Sequence, residues 1–265
     1  MLDLFKIEWM KVKSYRSFWV LFGGFILLFP LTFYYSASKF ANMANAQQQE
    51  MIQEMLGNPF VFPKVWLASG WFGGLFFIMM GMLYILLITN EVQYRTHRQN
   101  IIDGWSRFDF LKAKFSMLIF FVLVSTIMVF LCGYWIGSIY TPAGRSVTDG
   151  LYYVGYFVLM ATMYLLVAFL IAMLVKRTGL SIIIYFAVVC IVDNLLWLAL
   201  TQKRSQVGYF LPLESTDSLL PNPFKPALIE SRTLPDSTLM LVALGYLVLI
   251  GYTIKRHFEK IDLKT

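Results

Sequence analysis

The chain has 265 residues, of which 58% are hydrophobic, 17% aromatic and only 14% charged. This composition excludes an ordinary soluble globular domain and indicates a protein that lies in a lipid bilayer. The net charge of +7 is explained below by membrane topology, so no nucleic-acid-binding surface is needed to account for it.

The N-terminal residues, LDLFKIEWMKVKSYR, predict an interfacial helix within residues 1–16. Lys6, Lys11 and Lys13 fall mostly on other faces than the apolar stripe, from which lysines can reach lipid phosphates. An irregular basic tail that only fixes topology is the alternative. The stripe itself comprises Leu2, Phe5, Trp9 and Val12.

Six apolar stretches reach or approach the roughly 20 residues that a helix needs to cross the hydrocarbon core. They lack the alternating polarity of barrel strands, so the sequence predicts an all-α polytopic membrane protein. We treat residues 1–265 as a single transmembrane domain. The predicted spans are Ser17–Tyr35, Trp66–Thr89, Phe115–Tyr140, Leu151–Val175, Leu180–Leu200 and Ser237–Ile254.

Basic residues predict the orientation of these spans, because cytoplasmic loops retain Lys and Arg. Six spans put both termini on one side, and the segments on that side hold fifteen basic residues against seven on the other. Both termini are therefore predicted to be cytoplasmic, with the connections after the first, third and fifth spans on the outside.

The outer connections are unequal in length. The first is predicted to hold an external helix around residues 46–56. The last, residues 201–236, contains four prolines between apolar side chains, which argues against both one continuous helix and a solvated linker. Re-entrant helices dipping into the outer leaflet and a folded external cap fit this composition equally well.

Asp193, beside Asn194, is a carboxylate inside the fifth span and a candidate for a substrate pathway. A structural hydrogen bond to a neighbouring helix, or a position near the outer interface, explains it as well. Gly133 and Gly137 form a G-x-x-x-G motif in the third span, which permits close helix approach. Packing within the chain is favoured over a dedicated dimer face.

Recognisable catalytic motifs are missing from the sequence. There is no paired-histidine zinc motif, no G-x-S-x-G elbow and no phosphate-binding loop. The two cysteines, Cys132 and Cys190, fall inside spans and read as small buried hydrophobes. We therefore expect no enzyme activity, no bound metal and no cofactor in this chain.

The largest cytoplasmic feature is residues 90–114, NEVQYRTHRQNIIDGWSRFDFLKAK. A loop that only orients the protein needs basic residues. It does not need Glu91 at the membrane boundary, nor the apolar stripe of Ile101, Trp105 and Phe108. The segment is therefore better explained as a docking surface for a partner.

This segment resembles the pattern E…T-x-R…S-R…K that follows the second span in type-2 ABC transporter permeases. The matching residues are Glu91, Tyr94, Thr96, Arg98, Ser106, Arg107 and Lys114. The resemblance extends to the whole chain, with its interfacial helix, six spans and proline-bearing segment before the last span. One departure is Arg95, where members often have glycine.

The resemblance implies a coupling helix in this segment that docks into a cleft on a separate ATPase subunit. The residues implied to face or flank the ATPase are Glu91, Tyr94, Arg95, Thr96, Arg98, Gln99, Asn100, Ser106 and Arg107. Phe5, Trp9 and Lys11 would belong to the family's connecting helix, and residues 201–236 to its re-entrant helices.

The leading hypothesis is the membrane subunit of an ABC exporter in a bacterial inner membrane. It implies a homodimer of this chain with two ATPase subunits, which bind ATP and magnesium, and no nucleic acid partner. A polytopic sensor or assembly scaffold without transport is the first alternative. An ion-coupled carrier using Asp193 is the weaker second alternative.

Overall fold

The structure is a computed structural model that describes residues 2–42, 57–93, 107–201, 205–225 and 232–260. The first helices are α1 (Leu2–Val12), α2 (Arg16–Ala41), α3 (Lys64–Gln93), α4 (Arg107–Tyr140) and α5 (Tyr152–Val175). Next, α6 (Thr178–Ala187) continues through a π-helical turn, Val188–Val192, into α7 (Asp193–Leu200). A 3-10 turn at Val207–Phe210 and the short α8 (Glu214–Asp217) precede α9 (Asp236–Lys260).

In the described part of the chain, six helices are long and apolar enough to cross a membrane, namely α2, α3, α4, α5, the continuous α6–α7 helix and α9. The prediction of a six-span all-α protein is thereby confirmed. Several helices run past the predicted limits, since α4 begins at Arg107 rather than Phe115 and α2 ends at Ala41 rather than Tyr35. Helix propagation adds one backbone hydrogen bond per residue, so a helix does not stop where its apolar side chains do. The external helix predicted at 46–56 lies outside the described residues.

Two helices form the centre of the bundle. In α3 and α5, 61% of the apolar window is buried, whereas in α2, α6–α7 and α9 the share is 17 to 22%. The outer helices therefore keep large apolar surfaces for lipid or another chain. Tyr84 on α3 illustrates the centre, since its ring lies between Phe121 of α4 and Phe169 of α5 at centroid distances of 6.2 and 5.6 Å.

A ladder of phenylalanines attaches α2 to α3. Phe18, Phe25, Phe29 and Phe33 are spaced by seven, four and four residues, which places them on one helical face, and each is fully buried. Phe25 meets Phe77 edge-on at 6.3 Å, and Phe33 meets Phe72 at 5.3 Å. Because one α2 face is filled this way, its other face is left exposed.

The glycines of the third span pack within the chain. A Cβ built on Gly133 would lie 2.8 Å from the Ser69 hydroxyl and 2.9 Å from the Trp66 ring. A Cβ on Gly137 would overlap the Phe62 ring. The G-x-x-x-G motif therefore lets α4 approach the start of α3, in agreement with the interpretation favoured from the sequence.

Residues 205–225 penetrate the bundle between its helices. The Tyr164 hydroxyl, about 18 Å along α5 from its first residue at 1.5 Å per residue, donates a 2.7 Å hydrogen bond to Asp217 of α8. The Phe224 ring lies 6.0 Å from the rings of Phe60, Trp71 and Phe72. These contacts are those of a segment inserted among helices.

The N-terminal helix and the end of the last helix lie at the same end of the bundle. Phe110, near the start of α4, contacts Phe258, near the end of α9, with centroids 5.5 Å apart. Phe5 of α1 contacts Phe120 of α4 at 5.4 Å. We call this end the terminal face and the end at which α5 and α9 begin the opposite face.

Replacing Gly137 with leucine is expected to destabilise the bundle, because its side chain would collide with Phe62. Overpacking costs about 1–3 kcal/mol, equivalent to a fall in melting temperature of roughly 3–10 °C for a chain of this size. Thermal unfolding in detergent measures it. The matched control is Gly245→Leu, because a Cβ there meets nothing within 4 Å. Equal melting temperatures for the two variants would contradict this packing role.

Candidate functional site

The predicted coupling helix lies outside the described residues, but both of its attachments are described. Arg107 is the first residue of α4. The other predicted residues of the segment lie outside the described residues, namely Tyr94, Arg95, Thr96, Arg98, Gln99, Asn100 and Ser106. Glu91 lies near the end of α3, and Lys114 lies in the first turns of α4. The site is therefore built from the two ends of this segment.

Four charged side chains from three helices meet at these ends. The Lys114 ammonium lies 2.5 Å from a Glu8 carboxylate oxygen and 2.8 Å from one of Glu91. The Lys11 ammonium lies 3.1 Å from the other Glu8 oxygen and 2.9 Å from the other Glu91 oxygen. Two lysines thus alternate with two glutamates in a closed circuit, which we call the charge ring.

The charge ring is buried and electrically balanced. The side chains of Glu8, Glu91 and Lys114 are 2%, 8% and 1% exposed, and that of Lys11 is 27% exposed. A buried charge is tolerated only when it is paired and hydrogen-bonded. With two cations and two anions, the ring carries no net charge, and each carboxylate is shared by both lysines, which offsets the cost of removing the individual charges from water.

Lys11 is the member of the charge ring that retains contact with solvent. Burial by itself lowers the pKa of an ammonium group, but the carboxylates of Glu91 and Glu8 outweigh this effect and raise the pKa of Lys11 above its usual value. Lys11 is therefore charged at every physiological pH. The ammonium group loses its charge only as the pH rises through that raised pKa.

Aromatic rings and a tyrosine hydroxyl enclose the charge ring. The Tyr84 hydroxyl donates a 3.0 Å hydrogen bond to the Lys114 backbone carbonyl. The Lys114 ammonium also lies 5.2 Å from the centre of the Phe110 ring. Trp9 packs edge-on against Phe120 at 5.4 Å. These groups exclude water, which strengthens the ion pairs.

A polar contact extends the site to the fifth span. The hydroxyls of Thr89 and Thr178 lie 2.8 Å apart, and Thr178 donates toward the side-chain oxygens of Asn90 at 3.5 Å and Gln93 at 3.4 Å. Thr178 is the first residue of α6. The end of α3 is therefore attached to α1 and α4 through charges and to α6 through threonine.

The helix predicted within residues 1–16 exists as α1, and its stripe packs on the bundle. Phe5 and Trp9 lie against the core, and Val12 is 2% exposed. Lys11, which the sequence placed on a face directed toward lipid phosphates, turns instead to Glu8 and Glu91. The reason is Glu8, which falls on the same helical face as Phe5 and Val12 and so brings a carboxylate into the apolar contact.

Sequence reasoning missed Glu8 and Tyr84 as members of this site. A signal for Glu8 was available, because an acid three residues after Phe5 and four before Val12 lies on the stripe and needs a buried cation. Tyr84 carried no such signal, since a tyrosine within an apolar span reads as ordinary packing. The stripe of Ile101, Trp105 and Phe108 is described only at Phe108, which is 54% exposed.

The two residues of the predicted substrate pathway, Asp193 and Asn194, have different surroundings. Asp193 is 7% exposed and follows the π-helical turn, a feature frequent at functional sites. Asn194 points away from the bundle and donates to the carbonyls of Val189 and Cys190 in its own helix. The candidate pathway residue is therefore Asp193, while Asn194 has a local structural role.

Two further acids that the sequence did not single out accompany Asp193. Glu214 and Asp217 of α8 lie within electrostatic range of it. Burial raises the pKa of Glu214 to about 7, with the Ser218 hydrogen bond and Lys225 opposing this and Asp193 adding to it. Burial likewise raises the pKa of Asp217 well above its usual value. Among the described residues, no three potential ligands are arranged to hold a metal ion.

A family model described as ABC-2 family transporter protein matches residues 4–193. The matched region includes α1 to α6, all four residues of the charge ring and Asp193, and it ends before α8 and α9. No curated protein and no solved structure matches the chain.

Replacing Lys114 with glutamine should destabilise the folded protein by about 3–5 kcal/mol, because it leaves two buried carboxylates with one lysine. Adding Glu8→Gln to that variant should restore part of the loss, since the remaining charges balance again. Thermal unfolding of the single and double variants measures the coupling. Lys112→Gln is the control, because its ion pair with Asp109 is 39% exposed and such pairs contribute about 0–1 kcal/mol. Strictly additive losses would contradict a coupled ring.

Glu214 should make stability depend on pH. Because folding raises its pKa from 4.5 to about 7, its contribution is complete below about pH 4.5 and is lost as the pH rises through about 7. The melting temperature should therefore fall less in Glu214→Gln than in the wild type between these values. Asp149→Asn, which changes an exposed acid, should retain the wild-type dependence. Parallel curves for Glu214→Gln and wild type would refute this assignment.

Proposed function

This chain belongs to the ABC-2 family of transporter proteins, and we propose that it is the membrane subunit of an ATP-driven exporter. A separate ATPase would dock on residues 90–114 and supply the energy, with ATP and magnesium bound on that partner. The observation that carries the proposal is the charge ring, which holds α1 against both attachments of that segment.

The charge ring would allow residues 90–114 to transmit a force from the ATPase to the helices. Glu91 lies three residues before Tyr94, and Lys114 lies eight residues after Ser106. A displacement of the intervening residues pulls on both, and the ring resists separation because its charges are buried. Movement would then pass to α1, α3 and α4 as one unit.

From α3 the movement would reach the centre of the bundle. α3 is one of the two most buried spans and packs on both α4 and α5 through Tyr84. Through the contact between Thr89 and Thr178, the movement would also reach α6, which continues into α7 and its first residue, Asp193. ATP-driven closure of the ATPase pair would thus change the spacing of the spans along the substrate pathway.

We place the terminal face in the cytoplasm of a bacterial cell and the complex in its inner membrane, on the basis of the fifteen basic residues predicted for that side. A homodimer with two ATPase chains follows from the resemblance. The low burial of α2, α6–α7 and α9 is compatible with it, since those helices leave surface for lipid and a second copy. Residues 205–225 would be the re-entrant segment, because Asp217 reaches Tyr164 within α5.

An ion-coupled carrier is the second candidate. The observation that favours it is the group of Asp193, Glu214 and Asp217, which could exchange protons or cations. The two functions separate cleanly in membrane vesicles. A carrier would transport without ATP and fail as Asp193→Asn, whereas an ABC permease requires ATP in either form.

Charge reversal at Arg98 should abolish transport-coupled ATPase activity, because the implied ATPase-facing surface would repel its partner. Folding should be unaffected, since the charge ring is untouched. The measurement is ATP hydrolysis by the purified complex in nanodiscs, together with the melting temperature of the membrane subunit. Lys13→Glu is the control, as it reverses an exposed charge just after α1 and outside the segment. Undiminished coupling in Arg98→Glu would overturn the assignment of this surface.

A further inference from the structure

Three acids and two tyrosines lie together where α8 packs into the bundle. Glu214 and Asp217 belong to α8, Asp193 is the first residue of α7, and Tyr164 and Tyr185 belong to α5 and α6. The Tyr164 hydroxyl donates a 2.7 Å hydrogen bond to Oδ2 of Asp217. Asp193, Glu214 and Tyr185 lie within electrostatic range of Asp217. We call these five residues the acid-tyrosine cluster.

Two polar atoms of the acid-tyrosine cluster are buried and have no hydrogen-bond partner among the described residues. They are Oδ1 of Asp217 and the hydroxyl of Tyr185. Tyr185 is fully buried, and its hydroxyl lies against α3 at Gly81, where a Cβ would overlap the tyrosine side chain. Buried polar atoms are nearly always hydrogen-bonded, so two unpartnered atoms in one cluster indicate that something binds there.

Asp217 is surrounded by acids, and a proton satisfies both of these atoms. Asp193 and Glu214 act on Asp217 electrostatically, and neighbouring carboxylates do not all ionise. Burial raises the pKa of Asp217 well above its usual value of 3.8, while the Tyr164 hydrogen bond opposes this and the two acids add to it. A proton on Oδ1 would remove the charge and supply a donor, for which the Tyr185 oxygen is available as an acceptor.

The other charged groups near α8 are engaged elsewhere. α8 packs against α5, α7, α9 and the 3-10 turn at Val207–Phe210. On α9, Asp236 is bonded to Arg232 and Tyr156. Lys225 acts on Glu214, and Tyr209 of the 3-10 turn packs against Trp197. In the described part of the chain no three potential ligands could hold a metal ion, so a proton is the occupant that these atoms fit.

We propose that Asp217 is a proton-binding site that controls how residues 205–225 sit in the bundle. With the proton bound, α8 stays packed on α5, because a neutral carboxyl group can remain among helices beside two other acids. Without it, the buried charge favours withdrawal of α8 toward water. The packing of α8 is therefore strongest below about pH 3.8 and weakens as the pH rises toward the raised pKa of Asp217. This role lies beyond ATP-driven export and does not require transport of the proton.

Infrared spectroscopy of the full-length chain in nanodiscs detects the proton directly, through the carbonyl band of a neutral carboxylic acid. At pH 7 the wild type should show such a band that Asp217→Asn removes. Asp149→Asn, which changes an exposed acid, should retain it. A wild-type spectrum at pH 7 in which Asp217→Asn removes no such band would overturn the proposal.

The midpoint pH of this band should move in opposite directions in two further variants. Tyr164→Phe removes the donor that favours the carboxylate and should raise the midpoint by about 1 pH unit. Glu214→Gln removes a neighbouring acid and should lower it. The matched control is Tyr134→Phe, which removes a half-exposed hydroxyl from α4 and should leave the midpoint unchanged. Equal midpoints in Tyr164→Phe and Glu214→Gln would show that Asp217 does not carry the proton.

Hydrogen exchange of the wild type tests the consequence for residues 205–225 without any substitution. After correction for the intrinsic effect of pH, exchange in these residues should accelerate at least about tenfold between pH 5 and pH 8. Asp217→Asn should keep the slow exchange at both pH values, and peptides of α5 should exchange alike at both. Exchange of residues 205–225 that is independent of pH in the wild type would refute control by the proton. Neither measurement involves ATP or transport, so a negative result here is distinct from failure of the proposed function.

Discussion

The contact on which the terminal face depends is the pairing of Lys114 with Glu8 and Glu91. An ammonium group that is 1% exposed at the start of a membrane span must find carboxylates, because the cost of leaving it unpaired exceeds the gain from packing any single apolar side chain. Glu91 lies on the preceding span, and among the described residues the second carboxylate that pairs with Lys114 comes from Glu8 of α1. The N-terminal helix is therefore held against the bundle by charge as well as by Phe5 and Trp9.

The need of Lys114 for a second carboxylate explains why the buried face of α1 is not purely apolar. Its buried side carries an acid, Glu8, within a row of apolar residues, and its partly exposed Lys11 closes the circuit. The same four charges fix the distance between the end of α3 and the start of α4, and hence the separation of Gln93 and Arg107. In the proposed transporter, an ATPase would change that separation. The charge ring would then both stabilise the fold and transmit the movement of the ATPase.

The sequence predicted the parts of this arrangement that depend on local patterns. Runs of apolar residues located the six spans, and the resemblance to type-2 permeases drew attention to Glu91 and Lys114 before their contact was known. The partners of these residues could not be predicted in this way. Glu8 and Lys114 are 106 positions apart, and only the packing of α1 on α4 brings them together. Likewise, the sequence shows Asp193 as an acid in an apolar span. The approach of Glu214 and Asp217 to it depends on how residues 205–225 pack among the helices. The prolines at 212, 221 and 223 allow this packing but do not specify it. The coupling helix itself stays a prediction.

Buried charge at the terminal face differs from buried charge around α8, inside the bundle, and the difference bears on how movement at one place could act at the other. At the terminal face the charges are balanced, so that end can move as a unit without exposing an unpaired ion. Around α8, Glu214 and Asp217 lie within electrostatic range of Asp193, and burial, with a smaller contribution from the neighbouring acids, raises the pKa of both. A small change in the spacing of α5, α7 and α8 alters the burial of these groups and hence their protonation. Movement driven at the terminal face would thus change the charge state of Asp193, Glu214 and Asp217, because that charge state depends on the position of the helices around them.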